Sequence, residues 1–220
     1  MTKTIFAYQF KVLIQDSRPP IWRRIVVPQN FTFHDFHLTI QAAFDWENYH
    51  LHSFRKKLAK TITSIPLALI YDESNYIVDL SIPDNKEIGK INSRTESIST
   101  YFQNRDSIDY TYDFGDDWRH KITLEKIIEN YDLDYPQCVK AFRHAPCEDS
   151  GGIWGWESKL EILEKYDSKN EDHRELYEWL SEMIPDIDDL DDPKKFNPEL
   201  VDLDSINERL KYYQDMEIES

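Results

Sequence analysis

The chain has 220 residues, of which 40% are apolar and 14% aromatic. A chain of this length can bury roughly 70% of its unfolded surface, and its aromatic content excludes wholesale disorder. No window reaches the roughly 18 uncharged apolar residues of a membrane helix. The start, Met1 to Phe6, lacks the apolar stretch of a secretory signal. Two Cys form no disulfide framework, so a cytoplasmic location is expected, and five Gly argue against a Gly-rich nucleotide-binding scaffold.

Lys and Arg number 26 against 42 Asp and Glu, for a net charge of −16. The acidity is concentrated at one end. From Glu157 onward there are 21 acidic and eight basic residues, whereas residues 1–156 hold 21 acidic and 18 basic. Affinity for polyanions comes mainly from Lys and Arg displacing counterions, so nucleic acid is disfavoured as a partner at long range. A local basic face around Arg18, Arg23 and Arg24 stays open beside their reading as solvated strand and turn positions. A protein partner is compatible with the acidic surface.

Phe6, Tyr8, Phe10, Val12 and Ile14 alternate with less apolar residues and predict a strand. Ser17 to Pro20 breaks it, and Ile21 to Val27 reads as a second strand, ended by Pro28 and paired with the first. Thr32-Phe-His-Asp35 resembles a capping box, and Phe36, Ile40, Ala43 and Phe44 give the helix that follows one apolar stripe. His50 to Lys56 reads as a strand. Residues 61–82 hold one or two short strands, and a short helix is expected near Ser97–Phe102. Ile108, Tyr110, Tyr112 and Phe114, then Trp118, His120, Ile122 and Leu124, flank Gly115-Asp116-Asp117 as a β-hairpin whose apolar sets share a face. Residues 130–156 read as an irregular, Pro- and Gly-punctuated segment. Helical pattern resumes after Trp156, with Leu176, Trp179, Leu180 and Met183 on one helix that Pro185 stops. Asp186 to Pro198 reads as an acidic loop, and Ser205-Ile-Asn-Glu208 as the capping box of a last helix.

Three clusters could carry chemistry. In a strand, His50 and His52 would project to one face with Phe54 and offer two metal ligands, with His120 or a carboxylate as a third. The plain alternative is a strand-end cap and a packed core histidine. Asp113, Asp116 and Asp117 with His120 surround one tight turn; such carboxylates suit a divalent metal or general acid–base work, and equally suit turn hydrogen bonds. Glu148 and Asp149 precede Gly151-Gly152 and could ligate or cap the next helix. Cys138, His144 and Cys147 have poor zinc spacing. The acidic run Asp186–Asp192 lacks the Gly and Glu of a calcium loop. No nucleophile elbow, P-loop or dinucleotide fingerprint is present.

Six separated motifs occur in order: Tyr8-Gln-Phe-Lys-Val, Pro19-Pro-Ile-Trp-Arg-Arg24, Ile40-Gln-Ala-Ala-Phe-Asp-Trp46, His50-Leu-His-Ser-Phe54, Tyr110-Thr-Tyr-Asp-Phe-Gly-Asp-Asp-Trp-Arg-His120 and Pro146-Cys-Glu-Asp-Ser-Gly-Gly152. Together they resemble the plasmid pRiA4b ORF-3-like family, whose relatives among insertion-sequence passenger proteins carry a TnpR-like label. The resemblance runs from Tyr8 to the final helix. It implies a compact α+β domain often encoded near mobile elements. The family's motif positions fall here on Trp22, Arg23, His50, His52, Phe54, Asp113, Gly115, Asp116, Trp118, His120, Glu148, Asp149, Gly151 and Gly152. Where the family usually reads Cys-Pro-Pro-Glu-Asp, this chain reads Ala145-Pro-Cys-Glu-Asp149, which displaces the second Cys by two positions. Trp156 replaces the family's Tyr.

The resulting expectation is one α+β domain over residues 1–220: an antiparallel sheet within 1–156 carrying the N-terminal helix, and acidic helices in 157–220 packed on it. The leading functional expectation is a non-enzymatic accessory or interaction module of mobile elements. The first alternative is a metal-dependent hydrolase, of phosphodiesterase or nuclease type. It would use His50, His52 and His120 as ligands to a divalent cation and Asp113, Asp116, Glu148 and Asp149 as ligands or base. The second is DNA binding through Trp22-Arg23-Arg24.

Overall fold

The computed structural model describes residues 5–56, 76–79, 91–102, 107–184, 187 and 192–216. Eight strands form one sheet: β1 (Ile5–Ile14), β2 (Ile21–Pro28), β3 (His52–Lys56), β4 (Tyr76–Val78), β5 (Ile91–Asn92), β6 (Ser107–Tyr112), β7 (Trp118–Tyr131) and β8 (Gln137–Phe142). Their spatial order is β5-β4-β3-β6-β7-β1-β2-β8. Among the described residues four α-helices of more than one turn accompany them: α1 (Phe33–Phe44), α2 (Gly152–Glu164), α3 (Glu171–Met183) and α4 (Leu203–Lys211). The fold is α+β. The sheet is antiparallel except at β4 and β5, which run parallel, so it is mixed rather than wholly antiparallel.

Period-two patterning fixes which side of the sheet is buried. Tyr8, Phe10, Val12 and Ile14 of β1 point inward, as do Ile108, Tyr110 and Tyr112 of β6 and Trp118, His120, Ile122 and Leu124 of β7. The hairpin of β6 and β7 therefore shares one apolar face, as its sequence predicts. Phe114 departs from that pattern: it lies in the Asp113–Asp117 turn and is 43% exposed. The turn is longer than the three-residue loop expected because Tyr112 already pairs with Trp118.

α1 crosses the inner face. Thr32 Oγ1 accepts from the Asp35 amide at 3.1 Å, and the Asp35 carboxylate accepts from the Thr32 amide at 2.8 Å, completing the predicted box. Phe36 packs on Phe10 with ring centroids 4.7 Å apart, and Phe33 on Phe54 at 5.1 Å. Burying side chains of this size contributes roughly 1.5–3 kcal/mol apiece. The helix is buried nearly all round, not along one stripe, because α4 and the Tyr213–Met216 turn cover its outer side. Arg209 of α4 donates to the Ala42 carbonyl at 3.1 Å and pairs with Asp45 at 3.0 Å, placing a cation at the C-terminus of α1.

Residues 130–156 are more regular than their punctuation suggests. β7 continues to Tyr131, β8 adds an edge strand beside β2, and α2 begins at Gly152 rather than after Trp156. Edge pairing along β2 supplies order that the local sequence does not encode. A 3₁₀ turn, Ile98–Thr100, occupies the region where a short helix was expected. α4 is capped by Asp202, whose carboxylate accepts from the Ser205 amide at 3.0 Å, one turn before the expected box. α3 ends at Met183, and Pro185 lies outside the described residues. So do most of the expected strands of residues 61–82, apart from β4, and Asp186 and Asp188–Asp191 of the acidic loop.

Candidate metal centre

Three loops meet at the rim of the sheet: residues 45–51 after α1, the 113–117 turn, and residues 145–152 before α2. Backbone of unusual conformation recurs in all three. Asp45, Asn48, Asp113, Asp117 and Asp149 adopt positive φ, as do Gly151 and Gly152. Asp and Asn tolerate this region better than other non-Gly residues, and such strain gathers at functional sites.

Reciprocal hydrogen bonds lock the loops together. The Asp113 amide donates to the Leu51 carbonyl at 2.9 Å. Asp116 Oδ2 accepts from the Gly151 amide at 2.9 Å. A Cβ on Gly152 would sit 2.3 Å from the Asp116 carbonyl oxygen, so only glycine permits this approach. Buried Glu148 accepts from the Glu47 amide at 2.5 Å and from the Tyr112 hydroxyl. Burial raises the Glu148 carboxyl above its ordinary value, against the opposing pull of those two donors. Trp46 Nε1 donates to the Pro146 carbonyl at 2.8 Å.

His50 sits where the loops converge. Its Nε2 lies 3.2 Å from Asp149 Oδ1 and 3.8 Å from Asp113 Oδ2. Ligand atoms of His50, Asp113 and Asp149 all fall within 4.8 Å of one another, and among the described residues they form the one group of three or more His, Cys, Asp or Glu so placed. Asp113 offers Oδ2 because its Oδ1 accepts from the Gly115 amide at 2.9 Å. The His50 side chain is 32% exposed and that of Asp149 67%, so the group opens to solvent.

The other two histidines expected as ligands lie elsewhere. Strand β3 starts at His52, so His50 precedes it and strand alternation does not carry the pair onto one face. His52 is buried and stacks on His37 at 3.4 Å between centroids. Burial pushes it down to about 3. His120 is fully buried, with its ring edge against Phe44 and Trp46, and its Nδ1 donates to the Trp118 carbonyl at 2.9 Å. Burial pushes it, too, down to about 3. These rings pack the core instead of joining His50. Of the expected carboxylates, Asp113 and Asp149 reach His50, whereas Asp116 and Glu148 clasp the loops. Cys138 and Cys147 are free and buried, and burial pushes the Cys147 thiol up to about 12. Neither joins a ligand group among the described residues. Arg23 is buried as well. Its guanidinium donates to the carbonyls of Ala43 at 3.0 Å and Arg143 at 2.9 Å, and burial pushes it down to about 10. It is therefore unavailable for the contact with DNA expected of Trp22-Arg23-Arg24.

Sequence reasoning did not single out Tyr112 or the backbone of Glu47, which fix Glu148. The available signal was the concentration of Asp and Asn in three loops of a chain with few glycines.

No helix among the described residues is long and apolar enough to cross a membrane. The uncharacterized protein y4hQ of Sinorhizobium fredii (strain NBRC 101917 / NGR234) is 32% identical over 174 residues, covering 78% of this chain and 79% of that protein. The crystal structure of MM3350, a protein of unknown function from Methanosarcina mazei Go1, superposes with a TM-score of 0.67 at 34% identity, covering 91% of this chain and 97% of the other. The model of the plasmid pRiA4b ORF-3-like proteins matches residues 6–205, and the chain belongs to that family.

Proposed function

We propose that the protein is a divalent-cation-dependent hydrolase whose metal is held by His50, Asp113 and Asp149. The observation that carries this reading is the convergence of their three ligand atoms within 4.8 Å on a solvent-open rim. One imidazole and two carboxylates suit Zn²⁺ or Mn²⁺, and three protein ligands leave positions for water and substrate. A cation held by these residues would lower the pKa of its water and polarise an ester or phosphoryl oxygen, and would reverse the local field so that an anionic substrate could approach a chain of net charge −16.

The test is metal titration by calorimetry on tag-free protein, followed by hydrolysis of p-nitrophenyl phosphate and its bis-ester with Zn²⁺ or Mn²⁺. Near-stoichiometric binding and turnover, both lost in His50→Ala and Asp113→Asn, are expected. Absence of binding by the wild type overturns the reading. A second reading, a non-enzymatic accessory module of mobile elements, is favoured by Asp116 and Glu148, whose carboxylates clasp loops through 2.9 Å and 2.5 Å bonds to backbone amides. Metal binding without turnover of either ester assigns the rim to that role.

A further inference from the structure

The outer face of the sheet carries a second feature, independent of the metal reading. Residues that alternate with the core positions of β1, β2, β7 and β8 fall into cross-strand rows. One row reads Lys121, Leu13, Trp22, Phe142, and the next reads Thr123, Lys11, Arg24, Lys140. Trp22 and Phe142 stack with an interplanar angle of 16° and centroids 6.2 Å apart, and Phe142 is 38% exposed. Three cations surround the Trp22 ring: Lys11 at 4.9 Å, Arg24 at 5.2 Å and Lys140 at 6.0 Å.

That arrangement breaks a local rule. Like charges directly opposite each other across a strand pair are unfavourable, yet Lys11 faces Arg24 and Arg24 faces Lys140. Glu125 pairs with Arg24 at 2.5 Å. Among the described residues, neither Lys11 nor Lys140 is within ion-pair distance of a carboxylate. Glu125 offsets Arg24 through two hydrogen bonds and Lys11 at longer range, yet the row beside the paired rings keeps an excess of positive charge, which an anionic, planar partner would match.

We propose that this face binds single-stranded nucleic acid. A base stacks on the Trp22–Phe142 pair, and phosphates lie along Lys11, Arg24 and Lys140. A sheet face that carries exposed Phe142 beside half-buried Trp22 suits unpaired bases, whose faces are free, and does not enter the groove of a duplex. The net charge of −16 is not an objection, because the 21 acidic residues of residues 1–156, which include these four strands, are nearly matched by 18 basic ones, whereas those from Glu157 onward face only eight. It does remove long-range steering, so the affinity is modest and the salt response small. Three phosphate contacts give a slope of log K against log salt of roughly −2 for a single strand.

The experiment is fluorescence anisotropy of the full chain with labelled oligouridylate and oligothymidylate of about twelve nucleotides, with EDTA present throughout. Binding with the stated slope is expected. Lys11→Glu with Lys140→Glu should weaken it about tenfold or more and flatten the slope. Phe142→Ala should weaken binding at every salt concentration and leave the slope intact. Both variants replace outer-face side chains, and thermal melts confirm that they fold. Because EDTA strips any metal, failure of the hydrolase reading leaves this result untouched. No binding at low salt overturns the proposal, as does binding indifferent to the charge-reversed variant. Equal affinity for duplex DNA removes the stacked base. Equal affinity for polyglutamate, insensitive to Phe142→Ala, assigns the face to an acidic protein partner instead.

Discussion

His50 and His52 are two residues apart, yet one lies half-exposed at the rim beside Asp113 and Asp149, and the other lies flat on His37 beneath α1. The two regions draw on the same residue types and treat them oppositely. Beneath α1, burial holds His37, His52 and His120 neutral, and Nε2 of His52 and of His120 has no hydrogen-bond partner among the described residues. At the rim, backbone amides take up selected carboxylate oxygens and leave others turned toward one imidazole. In the interior, then, polar side chains act as packing groups of fixed charge state. At the rim the backbone carries the stability, and side chains stay available for a ligand.

Four substitutions probe this contrast. The largest effect is expected from Gly152→Ala. Its Cβ would press on the Asp116 carbonyl oxygen at 2.3 Å in a positive-φ conformation. A loss of about 3 kcal/mol is expected, lowering the melting temperature by roughly 6–12 °C. Gly115→Ala, in the 113–117 turn that Gly152 packs against, meets only the Asp113 side chain, at 3.2 Å, and should cost under about 1 kcal/mol. If the Gly152 variant melts with the wild type, the rim backbone is not what holds the loops.

His120→Leu tests the interior. His120 is pushed down to about 3 in the folded chain from an ordinary value near 6.5. Between those values the unfolded chain binds the extra proton, so this contribution is complete above about pH 6.5 and is lost as pH falls toward 3. The wild type should lose about 1.4 kcal/mol per pH unit through this group, or roughly 2 kcal/mol more than the variant between pH 7.5 and 5. Urea melts at the two pH values measure the difference; parallel losses in both proteins would mean that His120 is not held neutral. The lost bond to the Trp118 carbonyl shifts the variant by a constant offset at both pH values.

Asp149→Asn should have the smallest effect on stability. Asn accepts the positive φ, and the side chain is 67% exposed, so unfolding should change by no more than about 0.5 kcal/mol. Metal affinity should nevertheless fall. A large stability loss without change in metal affinity would make Asp149 a structural residue like Asp116.

How far the sequence reaches is set by the range of the interactions involved. Alternation in Phe6–Ile14 and Ile108–Leu124, and the box at Thr32 and Asp35, are short-range signals, and they determined β1, the β6–β7 hairpin and the start of α1. The motif order determined the family, and the placement of acid beyond Glu157 determined the charge asymmetry. Other features depend on contacts between distant positions. Tyr112 holds Glu148 across 36 residues and Asp116 holds Gly151 across 35. β8 exists because β2 offers an edge. Arg23 and Arg24 are neighbours, yet opposite faces of one strand send the first into the core and the second to the Trp22 surface. Residue types and local periods are written in the chain, so the residues that would matter were legible there. That His50, Asp113 and Asp149 meet while His52 and His120 are buried was not legible there, because burial and convergence arise when separate segments pack.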